Sequence, residues 1–168
     1  MKIKSGVEQA VCILVILATQ KGKQHVKSDT ISSRINVSPS YLKKVMRKLV
    51  VGRLITSAPG NSGGFSLARS PETISMLDIL KAIEGEDPFL KTEGLIQRVF
   101  PETDAAKVGS ERLETIFTNA QKAYHDSLKQ TSLAEAILTT LDRDSMELVD
   151  WNHSLGAPDL EMLRAKKS

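Results

Sequence analysis

The sequence predicts a mainly α-helical fold carrying one small β-hairpin, and three observations predict it. Helical periodicity or capping signals recur along most of the 168 residues. One stretch only, "RLITSAPGNSGGFSLA" (53–68), has two short alternating runs on either side of a glycine-rich turn. That hairpin follows three helical segments, and the third has one apolar and one basic side. Helix, short helix, turn, capped helix and glycine-tipped hairpin is the order of a winged helix-turn-helix.

The first helix is expected over 6–20, with no breaker before Gly22. In "SDTISSRINV", Ser28 or Asp29 is suited to cap a short helix running to about Ile35, and Asn36 suits the turn after it. Ser38 is a good N-cap, with Pro39 at the first helical position, where its missing N–H costs nothing. Leu42, Val45, Met46, Leu49 and Val50 then make one apolar stripe, and Gly52 ends the helix. Its other side carries Ser40, Tyr41, Lys43, Lys44, Arg47 and Lys48, the donors that a major groove and its phosphates require.

The glycines of "APGNSGG" invite a second reading, a loop cradling a nucleotide's phosphates. Such loops lead from a strand into a helix N-terminus. Here no helix can begin before Pro71, and no Lys-Ser or Lys-Thr follows the last glycine, so the stretch is a hairpin. Its tip, Asn61, Ser62, Gly63 and Gly64, can approach a minor groove or a phosphate closely because little side chain intervenes.

Residues 71–84 read as a further helix with Ile74, Leu77, Ile79, Leu80 and Ile83 inward, closed by Gly85. "EGEDPFLKTEG" (84–94) is an acidic, turn-rich junction, and "LIQRVF" a short helix stopped by Pro101. From Ser110 a helix of about five turns carries Leu113, Ile116, Phe117, Ala120, Tyr124 and Leu128 as a narrow seam, suited to packing against its twin in a second subunit. "SLAEAIL" (132–138) is the last regular helix, and the tail with Trp151 and "PDLEML" has no clear pattern. The expected divisions are 1–85, 86–109, 110–140 and 141–168.

Charge follows this organisation. Residues 1–70 hold twelve Lys and Arg against Glu8 and Asp29, a net +10, whereas the other 98 residues hold eleven basic and eighteen acidic side chains, a net −7. A basic first half beside an acidic second half points to a polyanion as the partner of the former, and the basic third helix with its glycine hairpin makes that partner double-stranded DNA. A winged helix that binds a protein instead is the alternative, against which the basic third helix argues.

The single cysteine, Cys12, excludes an intrachain disulfide framework and a cysteine-rich metal site, and it fits the cytoplasm. "AVCILVILA" (10–18) imitates a signal peptide but is too short to span a bilayer, and the sequence predicts no membrane segment. A free cysteine mid-helix packs more often than it reacts. Its alternative is a redox role, with Cys12 and Ile16 on one face meeting a partner subunit. His25, His125 and His153 are scattered, and no catalytic triad, carboxylate pair or zinc-ligand spacing appears. The sequence therefore predicts a non-enzyme with no metal and no cofactor.

The stretch 38–85 resembles the Rrf-type winged-helix regulators, the family of IscR, NsrR and CymR. The match lies in the Tyr41–Leu42 pair, the step Gly52–Ile55 into the hairpin, the Gly63–Phe65 tip leading to Leu67–Arg69, and the pattern from Ile74 to Gly85. The resemblance extends from about residue 1 to 140. It implies a homodimer joined through the helix at 110–128 and binding a two-fold-symmetric operator, usually as a repressor. By position, Ser40, Tyr41, Lys43, Lys44 and Arg47, entered through Ser38, match the DNA-reading helix, and Asn61–Gly64 match the wing tip. Iron–sulfur members carry three cysteines between the Gly85 helix and the long helix. Residues 86–109 contain neither Cys nor His, so the chain resembles the cluster-free branch, whose members sense a small ligand, a partner protein or thiol oxidation. The corresponding sensor position here is 86–109, with Phe89, Leu95, Val99 and Phe100 expected to line a pocket.

Overall fold

The computed structural model describes residues 3–163 apart from Lys4, Lys23, Asn61, Glu102, Arg143, Ser145, Glu147, Leu148, Ser154, Ala157, Pro158, Glu161 and Met162. Two compact units result. One comprises residues 1–85 with 129–168, the other Glu86–Leu128.

The first unit is arranged on α1 (Ser5–Ala18), whose Ala10, Ile13, Leu14, Ile16 and Leu17 are all buried. α2 (Ser28–Arg34) and α3 (Pro39–Val51) form the helix-turn-helix, with Asn36 at φ 51° in the turn between them. α3 starts as expected, Ser38 accepting the Tyr41 N–H at 3.3 Å and Pro39 occupying the first turn. Strands β1 (Ile55–Ala58) and β2 (Gly64–Leu67) pair antiparallel, Ile55 opposite Leu67 and Ala58 opposite Gly64. α4 (Met76–Glu84) and α7 (Leu133–Leu141) complete the unit. α1 contacts α3, α4, α7 and β2.

Several expectations yield to longer-range contacts. α2 is capped by neither Ser28 nor Asp29. Lys27 takes the cap position without a side-chain bond, because residues 25–27 are extended and Val26 pairs with Phe65, N–H to carbonyl in both directions at 2.9 Å. The helix expected over 71–84 is broken. Pro71–Thr73 make a single 3-10 turn, and Ile74 and Ser75 pair with 131–133: the Met76 N–H donates to the Thr131 carbonyl and the Leu133 N–H to the Ile74 carbonyl. α4 then begins on a reciprocal cap, Ser75 accepting the Asp78 N–H while Asp78 accepts the Ser75 N–H. Val50 is exposed although it belongs to the α3 stripe, because the core closes over Leu42, Val45, Met46 and Leu49 on the neighbouring arc. Cys12 is exposed as well, on the side of α1 away from Ile13 and Leu14, which corrects its expected place in the core.

The second unit holds α5 (Leu95–Val99) and α6 (Asp104–Lys129). α6 starts six residues before Ser110, since Thr103 accepts the Ala106 N–H at 3.2 Å through its hydroxyl and good helix formers follow. Its 26 residues extend about 39 Å. No helix among the described residues is long and apolar enough to cross a membrane.

Burial alone would raise the Asp78 carboxyl, but hydrogen bonds from the Ser75 backbone and from Arg69 outweigh it and hold it below its ordinary value. Ser75→Ala removes one half of the reciprocal cap and should cost about 1 kcal/mol, read as a lower urea midpoint at unchanged slope.

Candidate nucleic-acid interface

On α3, Ser40, Lys44 and Arg47 follow one another at spacings of four and three residues. They therefore stand on one face, opposite buried Leu42 and Leu49, with Lys43 beside them. All four are exposed, and among the described residues Lys43, Lys44 and Arg47 form no ion pair. Ser38 and Ser40 share a hydroxyl contact of 3.2 Å at the helix start. Tyr41 is 38% exposed and turned to the flank of α3 next to α1, its hydroxyl 3.9 Å from where a β-carbon at Gly6 would lie.

Other cations of the basic half are engaged within the protein. Lys48 donates to the Ile83 carbonyl at the end of α4, complementing the unpaired carbonyls there. Arg69 bridges Asp78 at 3.0 Å and donates to the Thr73 carbonyl. Arg34 donates to the His153 carbonyl at 3.1 Å with its guanidinium 5.6 Å from the Trp151 ring centre.

The wing stands beside α3. At its tip Ser62 is exposed, while Asn61 lies outside the described residues. Gly63 and Gly64 are required by close backbone: a β-carbon would come 2.3 Å from the Ala58 carbonyl oxygen at Gly63 and 2.4 Å from that of Val26 at Gly64, where φ is +150°. Between α3, the start of α2 and Phe65 lies a groove of about 500 Å³. Its walls are Pro39, Leu42, Met46, Val50 and Phe65, and Lys43 and Arg47 also line it.

In the second unit, Ile116, Phe117 and Ala120 are exposed on α6, and Leu113, Tyr124 and Leu128 half-buried. Tyr124 packs on Phe89 and His125, ring centres 5.6 and 5.9 Å away. The pocket expected from Phe89, Leu95, Val99 and Phe100 does not form from those four. Phe89 belongs to the Tyr124 cluster, and Val99 and Phe100 are exposed. A cavity of about 190 Å³ is instead lined by residues 90–97 with Ser110 and Leu113.

Sequence reasoning missed the tail. Val149 and Trp151 enter the core of the first unit. The Trp151 indole N–H donates to the Thr19 hydroxyl at 3.0 Å, its backbone N–H to the Gln20 side chain at 2.9 Å, and Gln20 donates to Asp150 at 2.9 Å. A lone Trp in an otherwise unpatterned segment was the available signal, and it does not say where the ring goes.

A winged helix-turn-helix with a basic, unpaired outer face on its second HTH helix is a DNA-binding protein by build. A family model described as "Rrf2: Iron-dependent Transcriptional regulator" matches residues 3–138, and the chain belongs to that family. It is thus a DNA-binding transcriptional regulator. YwgB of Bacillus subtilis (strain 168) is 36% identical over 150 residues, covering 89% of this chain and 93% of that protein. YffB of Lactococcus lactis subsp. lactis (strain IL1403) is 33% identical over 159 residues, covering 95% and 96%. Both are named as candidate HTH-type transcriptional regulators. The crystal structure of Staphylococcus aureus CymR in its oxidized form is similar at a TM-score of 0.56 and 26% identity, covering 81% of this chain and 95% of that one.

The family's iron does not fit as a thiolate-bound cluster here. Cys12 is the sole cysteine of the chain, 86–109 has no Cys or His, and no group of three or more metal-binding side chains comes together among the described residues.

The hydrogen bond from Gln20, with those from the Asn152 backbone and His153, holds the Asp150 carboxyl below its ordinary value against the opposing effect of burial. A depressed folded pKa adds stability that is present above the unfolded value of about 3.9 and is lost as pH falls through the folded one. Urea midpoints measured from pH 6 to pH 2.5 should therefore fall less steeply for Asp150→Asn than for the wild type below about pH 4.

Proposed function

We propose that the chain acts as a homodimeric, cytoplasmic repressor that reads a two-fold-symmetric duplex site. Ser38, Ser40, Tyr41, Lys43, Lys44 and Arg47 contact one major groove per subunit, and the Asn61–Gly64 wing tip contacts the adjacent backbone or minor groove. The carrying observation is the set of three cations, without an ion pair among the described residues, on the outer face of α3 beside a glycine wing. Unengaged cations bind a polyanion without breaking any contact within the protein, and each phosphate they neutralise releases counterions. The groove between α3 and Phe65, apolar inside with Lys43, Arg47 and Asp29 in its lining, suits the edge of a base with its thymine methyl.

Dimerisation runs through α6. Ile116 is 53% and Phe117 39% exposed on it, and covering that remaining surface gains roughly half of the ~1.5–3 kcal/mol that complete burial of such a side chain gives. Release from DNA follows an effector that shifts the spacing of the two reading helices. The cavity at 90–97 with Leu113 supports a small ligand or a partner protein as that effector, and oxidation of exposed Cys12 is the rival that Cys12→Ser tests.

If the dimer neutralises about eight phosphates, log K against log salt concentration should slope near −7 on a genomic fragment selected by the protein itself. A flat dependence would leave the protein-binding alternative standing. Arg47→Ala should weaken that complex by about 1–3 kcal/mol.

Ile116→Glu with Phe117→Glu sets charges opposite their own copies in an apolar contact. Sedimentation should then report monomer, and operator binding should be lost with α3 untouched. A double variant that stays dimeric would place the contact elsewhere.

A further inference from the structure

We propose that Asn152 is a positioning residue for DNA reading, and that the tail around it is a working part of the DNA-binding unit. This rests on the reading of the first unit as a DNA-binding domain.

His25–Val26–Lys27 closes the connection from α1 to α2, and Val26 forms an antiparallel bridge with Phe65. Val26 uses both backbone groups on Phe65 of the wing, at 2.9 Å each. In an extended chain the groups of the flanking residues point the other way. There a single side chain meets them: Asn152 donates through its amide nitrogen to the His25 carbonyl at 2.9 Å and accepts the Lys27 N–H at 3.1 Å through its amide oxygen. An amide side chain carries donor and acceptor side by side on one short, planar group, which matches these two backbone partners. The two partners also settle which way the amide faces.

Asn152 is itself held. Its N–H donates to Asp150 at 3.1 Å, and the preceding Trp151 is 9% exposed and anchored on Thr19 and Gln20. At the far end of α2, Arg34 rests on the Trp151 ring and donates to the His153 carbonyl. Residues 150–153 thus grip α2 at both ends and pin the segment that the wing pairs with. α2 packs on α3. The placement of α3 relative to the wing tip therefore depends on a turn more than a hundred residues away in sequence.

Two kinds of duplex binding respond differently to that placement. Attraction of Lys43, Lys44 and Arg47 to phosphates tolerates small displacements, whereas base reading by α3 with simultaneous contact by the wing does not.

The test uses the full chain as wild type, Asn152→Ala and Asn152→Asp, at a temperature where each is fully folded by circular dichroism. The probes are the duplex the wild-type protein selects from a random pool and a scrambled duplex of equal length. Asn152→Ala should bind the selected duplex about tenfold more weakly and the scrambled one within about threefold of wild type. Asn152→Asp keeps the acceptor for Lys27 but sets a carboxylate oxygen against the His25 carbonyl, so it should bind the selected duplex at least as weakly as Asn152→Ala. Amide exchange at Val26, Lys27 and Phe65 should quicken in Asn152→Ala while α4 amides stay as they were. Wild-type affinity for the selected duplex in Asn152→Ala overturns the inference, as does an equal loss on both duplexes with exchange raised throughout. Failure of the wild type to select any duplex overturns the DNA reading instead. The exchange experiment needs no DNA, and unchanged protection at Val26 and Phe65 would still count against Asn152.

Discussion

The first unit depends on burying one helix. α1 has Ala10, Ile13 and Leu14 with no exposed surface, and it is the element that α3, α4, α7 and β2 all touch. Each of those neighbours must present an apolar face to it, so their outer faces are decided at the same time. For α3 this means Leu42, Val45, Met46 and Leu49 inward. Ser40, Lys44 and Arg47 then have no direction left but solvent. Rigid core packing is what turns a basic helix into a surface of fixed outline, because interiors packed to crystal density do not let a helix rotate.

Two sets of cations divide the work. Lys48, Arg69 and Arg34 satisfy carbonyl groups of the chain, and withdrawing any of them would leave a helix end or a turn without its partner. Lys43, Lys44 and Arg47 form no ion pair among the described residues. The net charge of +10 in the first 70 residues overstates what is available to a polyanion, and the three-dimensional arrangement says which charges count.

The unit formed by Glu86–Leu128 has a different economy. α6 buries only Ala106 and Ser110 among its residues and leaves Val108, Ile116 and Phe117 open. Its internal order comes from Phe89 against Tyr124 and His125, from Gln121 on the Phe89 N–H and Asp87 carbonyl, and from Thr92 on Glu114. A helix with so little covered surface is marginal by itself in water.

What the sequence determined lies within about one helical turn of each residue. The Ser38–Pro39 start of α3, the glycine wing and the inward face of Leu77, Ile79, Leu80 and Ile83 were legible because each rests on neighbours three or four positions away, or on backbone conformations few residues adopt. The fold class and the outer face of α3 followed from them. The cap of α2, the break at Ile74–Ser75, the exposure of Val50 and Cys12 and the seat of Trp151 were decided only by tertiary structure. In each a hydrogen bond or a packed surface from a distant part of the chain outweighs local preference: Asn152 on Lys27, Leu133 on Ile74, Thr19 on Trp151. Periodicity cannot report a partner that lies more than a hundred residues away, and residues 149–153, with little periodicity of their own, take their conformation on the surface they cover.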